Sequence, residues 1–438
     1  MIARNSHRLK VEKASALTTT FAGLPLLSEL AHQTGIIKNL DAIPGLWQRR
    51  GEYSTSDYVM GLAMTLIAGG EGLDDTRILR SDRGFGRLVC ADLPAANSWG
   101  DFLRRFDHRS IHHLGVVASK QALLNCAGHE ILTLDIDSSL IESHKKAAQM
   151  SYKGFPGYNP VLAWLAEPDV FLGGVFRDGN ASPQCNLTSL LRYCDRRLPN
   201  GVELRVRADS AAYRLDFINH CHRRGKHFTI TADLDPAVRE SIESIPDESW
   251  QLVVRGKETF LLAETIHVPG GADNQYELPA FRLVVKRWLS GQLELFKPVI
   301  KYHAIISDFP ESWNAEKILD QHNDRGTAEK AIGELKNGYG LDKLPCGGLF
   351  ANAAFFQIGL LAYNLVQTFK RYALPESWKT FCIKNLRFRL LCQAARVVSH
   401  AGYLILKLSA AFPFFEIFEK ARWAVLSPQL ALASVSSP

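Results

Sequence analysis

The acidic side chains Asp135, Asp137, Asp209 and Glu329 have the spacing that metal-assisted chemistry requires. Asp135 and Asp137 close the apolar run ILTLDID. In an extended strand, residues two apart project from one face, so both acids share a side and Leu134 and Ile136 take the other. A carboxylate at the end of a buried strand is costly unless it is paired or binds a metal. Asp209 stands where LRVRA gives way to the small residues Ser210, Ala211 and Ala212, and ligands of such sheets gather at the carboxyl ends of the strands. Glu329 belongs to the helical stretch NDRGTAEKAIGELKNGYG. At about 100° per residue, Arg325, Glu329 and Lys336 fall within about 40° of one another, whereas Glu334 lies about 180° from Arg325. The stripe selects Glu329 as the inward acid, flanked by cations suited to phosphate oxygens.

Each of these residues also has a plainer explanation. A lone Asp after a strand is a turn or helix cap, and Arg325 with Glu329 is an ordinary i,i+4 surface pair. Only their convergence makes a site. Converging carboxylates suit hard ions such as Mg²⁺, which keep coordination positions for phosphate and water. Two ions about 3.5–4 Å apart serve an in-line displacement at a phosphodiester.

The elements that would carry these groups are read from changes of hydrophobic period. From Ser15 to about Leu124 the pattern is helical, with Ser54 and Asp57 opening Tyr58–Ala68 and Ser98 and Asp101 opening Trp99–Phe106. Between them Arg77, Arg80, Arg83 and Arg87 form either a helical face that meets phosphate or a solvated face balanced by Asp74, Asp75 and Asp82. From Glu130 the period becomes that of strands, at 131–136, 161–165, 170–176, 202–208 and 227–232, with helices at 187–197 and 213–223. This predicts a mixed α/β layer structure. Residues 251–268 and 281–306 read as a β-rich insertion around the turn-forming stretch 269–274, and helices return at 315–321, 327–336 and 351–369. The apolar run 355–369, interrupted by Gln357, Asn364 and Gln367, reads as a buried helix and is too short for a membrane span.

Composition narrows the class. With 438 residues, 46% hydrophobic and 22% charged, the chain can build two or three cores, and the net charge of +6 mildly favours a polyanionic partner. Eight cysteines without a CxxC pair fit neither a zinc ribbon nor a disulfide scaffold, and the basic N-terminus lacks an apolar run and cleavage site, so no secretory signal is predicted.

Three blocks resemble the DDE transposases of bacterial insertion sequences, specifically the group named after insertion sequence four and most closely its thirteen-eighty relatives. TLDIDSSL looks like the family's first-aspartate strand and LRVRADSAAY like its second, while HNDRGTAEKAIGELK fits Tyr-x2-Arg-x3-Glu-x6-Lys at Arg325, Glu329 and Lys336. His322 stands where that signature has Tyr. The resemblance implies catalytic, metal-binding Asp137, Asp209 and Glu329, with Asp135 as the alternate first acid and Arg325, Lys336 and His322 on the DNA. Asp137 is preferred because the family acid is commonly followed by small hydroxyl residues or Gly.

The same resemblance implies an RNase H-like core of the retroviral integrase superfamily. It divides the chain into a helical DNA-binding region at 1–125, the first part of the core at 126–240, the β-rich insertion at 241–310, the core helices with the Glu at 311–370 and a C-terminal region at 371–438 available for dimerisation or DNA contact. The expected activity is metal-dependent cleavage at the element's ends and strand transfer into target DNA, with two Mg²⁺ ions, replaceable by Mn²⁺. Implied partners are double-stranded DNA, as terminal inverted repeats and target, and a second copy in the synaptic complex. No membrane partner is expected, and the implied location is the cytoplasm, at the nucleoid. The competing readings are a nuclease that cuts without joining and an idle DNA-binding descendant of a transposase.

Overall fold

The computed structural model describes residues 10–13, 16–47, 51–270, 274–294 and 297–427. The centre of the molecule is a nine-stranded sheet. Its strands are β1 (Ile131–Ser138), β2 (Val161–Leu165), β3 (Val170–Val175), β4 (Glu203–Ala208), β5 (His227–Thr231), β6 (Gln251–Arg255), β7 (Glu258–His267), β8 (Phe281–Glu294) and β9 (Lys297–Ser307), in the order β6-β7-β8-β9-β5-β4-β1-β2-β3. β1, β4 and β5 are parallel neighbours, and β2 and β3 continue from β1 as antiparallel strands. The expected mixed α/β architecture is present. The β-rich stretch consists of two hairpins, β6–β7 and β8–β9, and β9 pairs antiparallel with β5, so the stretch extends the central sheet without a break. Part of the predicted turn at 269–274 lies outside the described residues.

Strand alternation sets what each face of the sheet carries. Leu132, Leu134 and Ile136 of β1, with Leu204, Val206 and Ala208 of β4, enter one core. That core is closed by α3 (Leu187–Asp195) and α4 (Leu215–Arg223) and by the end of α2 (His108–Leu123), which comes after α1 (Thr55–Ala68) in the chain. The opposite face carries Asp135, Asp137, Arg207 and Asp209 and is covered by α5 (Ala315–Asn323), α6 (Gly326–Gly338) and α7 (Leu349–Ala373). Ile318 and Leu319 fix α5 on Val284 and Ile305 of the extended sheet.

Helix α7 is apolar on nearly every side and is buried throughout its middle, as a helix at the centre of a core must be. By length and composition it would cross a membrane, but 89% of its most apolar window is packed inside the protein. The amides that interrupt the apolar run have a structural use. Asn364 Oδ1 accepts the Phe171 N–H at 2.9 Å and its Nδ2 donates to the Phe171 carbonyl at 2.9 Å, while Gln357 Nε2 donates to Gly174 O at 2.8 Å. The side chains thus satisfy backbone groups along edge strand β3 that no further strand pairs.

The N-terminal helices pack on α7 together with α8 (Phe415–Val425), which contributes Phe418, Ala421 and Val425 to the same core. The tail, whose structure the sequence leaves open, also forms a hairpin, β10 (Ala395–His400) and β11 (Tyr403–Leu408), and β10 pairs with Thr18–Thr19. The expected Ser54–Asp57 capping box opens α1, with Asp57 N–H donating to Ser54 Oγ at 3.1 Å. Ser98 does not open the next helix, which starts at Ala96 and places Ser98 inside its first turn, donating to Ala95 O. The arginine-rich stretch is two short helices, Thr76–Ser81 and Arg83–Val89, because Asp82 leaves the helix and caps the second one at Phe85 N. All four arginines are exposed, and Arg77 pairs with Asp74 at 3.1 Å.

Candidate functional site

The parallel pairing of β1 with β4 places Asp135 beside Arg207 and, two residues on, brings Asp137 and Asp209 to the carboxyl ends of neighbouring strands. The inner acid is fully engaged. Asp135 is 1% exposed, with Oδ1 accepting Arg207 Nε at 2.8 Å and Oδ2 accepting Nη2 at 2.6 Å. Burial raises its pKa and the Arg207 hydrogen bonds and charge oppose that rise. Both carboxylate oxygens therefore meet one guanidinium in a two-pronged, charge-assisted contact. Arg207 Nη1 continues to the Gln321 carbonyl at 3.0 Å, tying the end of α5 to the sheet.

The outer acids are looser. The Asp137 side chain keeps 20% of its surface, and its Oδ2 is 3.6 Å from Arg325 Nη2. Its pKa is pushed up to about 6, by burial above all. Arg325 opposes the shift, while the charges of Asp209 and Glu329 add to it. The negative charges of Asp209 and Glu329 thus reach Asp137 through space. Asp209 accepts the Ala211 N–H at 3.1 Å, capping the short turn after β4. Glu329 is exposed in the first turn of α6.

The expected inward stripe is not what the helix presents: Glu329 is exposed while Glu334 is half-buried, and Arg325 and Lys336 take separate roles. Arg325 reaches Asp137, whereas Lys336 Nζ donates to Ser139 Oγ at 3.0 Å and Leu140 O at 2.7 Å, just beyond the end of β1. Glu334 points elsewhere, accepting Ile383 N–H at 2.6 Å. His322 departs from the expectation that it faces DNA. It is 3% exposed, with Nε2 2.9 Å from Thr231 Oγ1 and Nδ1 3.2 Å from Thr229 Oγ1. Burial drives its pKa down to about 3, so the ring is neutral and holds α5 on β5. It presents no group to an external partner.

Sequence reasoning passed over Arg207, although a signal for it existed. Arg207 precedes Asp209 by two residues, as Asp135 precedes Asp137. Paired parallel strands with those two acids in register bring the preceding acid and base together.

Among the described residues, no three His, Cys, Asp or Glu side chains stand close enough to hold one metal ion in common. The donor chemistry of Asp137, Asp209 and Glu329 still fits a hard divalent cation: all donors are carboxylate oxygens, and their mutual repulsion at Asp137 is what a cation relieves. The fit requires the three to draw together.

The chain is similar to the piggyBac transposase in a cryo-electron microscopy structure of its synaptic complex with hairpin DNA, with a TM-score of 0.43 and 13% identity over 84% of this chain and 80% of that one. No curated protein matches it. The family described as transposase DDE domain group 1 matches residues 3–427. The chain belongs to that family.

Proposed function

We propose that the protein is a DNA transposase that cuts at the ends of its element and joins them to target DNA, with Asp137, Asp209 and Glu329 as its catalytic carboxylates. The observation that carries this reading is geometric: the parallel pairing of β1 and β4 brings Asp137 and Asp209 to neighbouring carboxyl ends, and Arg325 at the head of the helix that carries Glu329 stands 3.6 Å from Asp137. The strand order, with β2 antiparallel and β1, β4 and β5 parallel, supports an RNase H-like core. Asp137 rather than Asp135 is the first ligand, because Arg207 engages both oxygens of Asp135.

Asp137, Asp209 and Glu329 would hold Mg²⁺, or Mn²⁺ in its place. The chemistry such ions would supply there is activation of the attacking oxygen and stabilisation of the leaving oxygen. The chain's own residues do the positioning. Arg325, at the head of α6 and 3.6 Å from Asp137, would meet a phosphate oxygen there, a contact that fixes the register of the DNA without reading bases. Lys336 fixes the end of β1 through Ser139 and Leu140, which sets where Asp137 stands. The partners under this reading are the terminal inverted repeats, the target duplex and a second copy in the synaptic complex.

The test is cleavage of a labelled duplex carrying the element's own ends in Mg²⁺ or Mn²⁺, then strand transfer with pre-cut ends. Asp137→Ala, Asp209→Ala and Glu329→Ala are expected to abolish cleavage while end binding persists. Cleavage without transfer by the unaltered protein would make it a nuclease. Failure with authentic ends would remove the assignment.

A further inference from the structure

A small three-stranded flap hangs from the end of β1. Its strands, at 141–142, 149–150 and 156–158, pair Ile141 with Tyr158 and Gln149 with Gly157. Its packing fixes its shape. A Cβ at Gly157 would strike the carbonyl of Ile141, and one at Gly179 would strike the carbonyl of Gln149. Ala147 N–H donates to Gly347 O at 3.2 Å. At the return strand, the buried Arg177 donates from Nε to Asn159 O at 2.7 Å and from Nη1 to Ser182 O at 3.2 Å.

This anchored flap displays side chains that a free surface does not need. Met150 and Tyr152 are 62% and 65% exposed. Lys145, Lys146 and Lys153 are exposed, and none forms an ion pair among the described residues. The flap's one acid, Glu142, pairs with His144 at 3.1 Å. The root of the flap is Ser139–Leu140, the contact point of Lys336 and the immediate continuation of Asp137.

We propose that this flap is a contact surface for the duplex whose strand enters the carboxylate site, with Lys145, Lys146 and Lys153 on its phosphates and Tyr152 and Met150 against its sugars. The inference rests on the transposase reading and names a surface for its partner. Cations unpaired by protein acids on an ordered surface complement a polyanion, and each phosphate they neutralise releases counterions.

The full chain is titrated onto a labelled duplex carrying the element's ends over a series of salt concentrations. The triple variant Lys145→Gln, Lys146→Gln, Lys153→Gln is expected to flatten the slope of log K against log salt by about 2 to 3, at ~0.9 per lost phosphate contact. Tyr152→Ala is expected to weaken binding equally at every salt concentration. A control triple, Lys257→Gln, Lys301→Gln, Lys317→Gln, alters exposed lysines elsewhere and should leave the slope alone. An unchanged slope in a flap variant that melts like the unaltered protein overturns the flap while leaving the transposase reading in place. Absence of duplex binding by the unaltered protein overturns both.

Discussion

The face of the sheet that carries the acids has two halves built from the same pattern. In the inner half, Asp135 and Arg207 meet across β1 and β4, both oxygens are engaged and the guanidinium continues to Gln321. In the outer half, two residues along the same strands, Asp137 and Asp209 have no such partner on the sheet. Asp137 instead meets Arg325 at 3.6 Å and the repulsion of Asp209 and Glu329. In one half both carboxylate oxygens are paired within the protein, although burial still leaves Asp135 raised. The other is costly as it stands and is suited to a cation and a phosphate. Closure of the inner half also holds the α5–α6 junction, and so sets where Arg325 and Glu329 stand.

The sharpest way to separate the halves is at Glu329 and Glu334, two acids of one helix. Glu329→Gln is expected to lower metal-dependent cleavage by about 10³-fold or more, in the range of lost catalytic groups, with little change in melting temperature. Glu334→Gln keeps an amide oxygen to accept the Ile383 N–H and should keep cleavage within about tenfold. A Glu334 variant that is stable and inactive would break the comparison. Next in size is the inner pair: Arg207→Met leaves Asp135 buried and unpaired, which costs about 3–5 kcal/mol in chemical denaturation. Asp135→Leu combined with Arg207→Met should recover most of that loss. If the double variant is no more stable than the single, the pair is not what Arg207 contributes.

Much of this was legible in the sequence. The alternation of ILTLDIDS set Asp135 and Asp137 on one face, and the helical stripe set Glu329 apart from Glu334, because both depend only on local periodicity. The rest was not legible, because it depends on partners distant in the chain. Arg207 reads as the polar position of an amphipathic strand until β1 lies beside it. His322 occupies the position of an expected DNA contact, yet helix periodicity does not say which side of α5 meets Thr229 and Thr231. The β10–β11 hairpin takes its place through Thr18–Thr19, at the other end of the chain. That the two hairpins after β5 extend the central sheet was not legible, because register with β5 leaves no mark on composition.

The outer half also makes a prediction about stability. Asp137 titrates near 6 in the folded protein, and near 3.9 when unfolded. Between those values the folded protein keeps a proton that the unfolded chain has lost, so stability falls as pH rises through the window and stays lower above it. Asp137→Asn should therefore be more stable than the unaltered protein by ~1–3 kcal/mol at pH about 7.5 in EDTA, with the difference vanishing near pH about 4. Equal stability at both pH values would show that the outer half carries no electrostatic cost.

His322 belongs to the completed half and predicts the opposite sign. Its folded-state pKa is about 3, whereas an unfolded histidine takes a proton near 6.5. Below that value the unfolded chain binds the proton and the buried ring does not, so stability falls as pH falls, by ~1.4 kcal/mol at pH about 5.5. Over the same interval Asp137 regains stability and masks part of the loss, so the measurement belongs in the Asp137→Asn background. There, the drop in unfolding free energy between pH about 7.5 and about 5.5 should shrink by ~1 kcal/mol when His322→Gln is added. Hydrogen bonds lost with the ring lower stability equally at every pH, so only the pH-dependent part bears on the prediction. An undiminished drop would mean that the ring opens to solvent and that the α5–β5 contact is less closed than its threonine partners indicate.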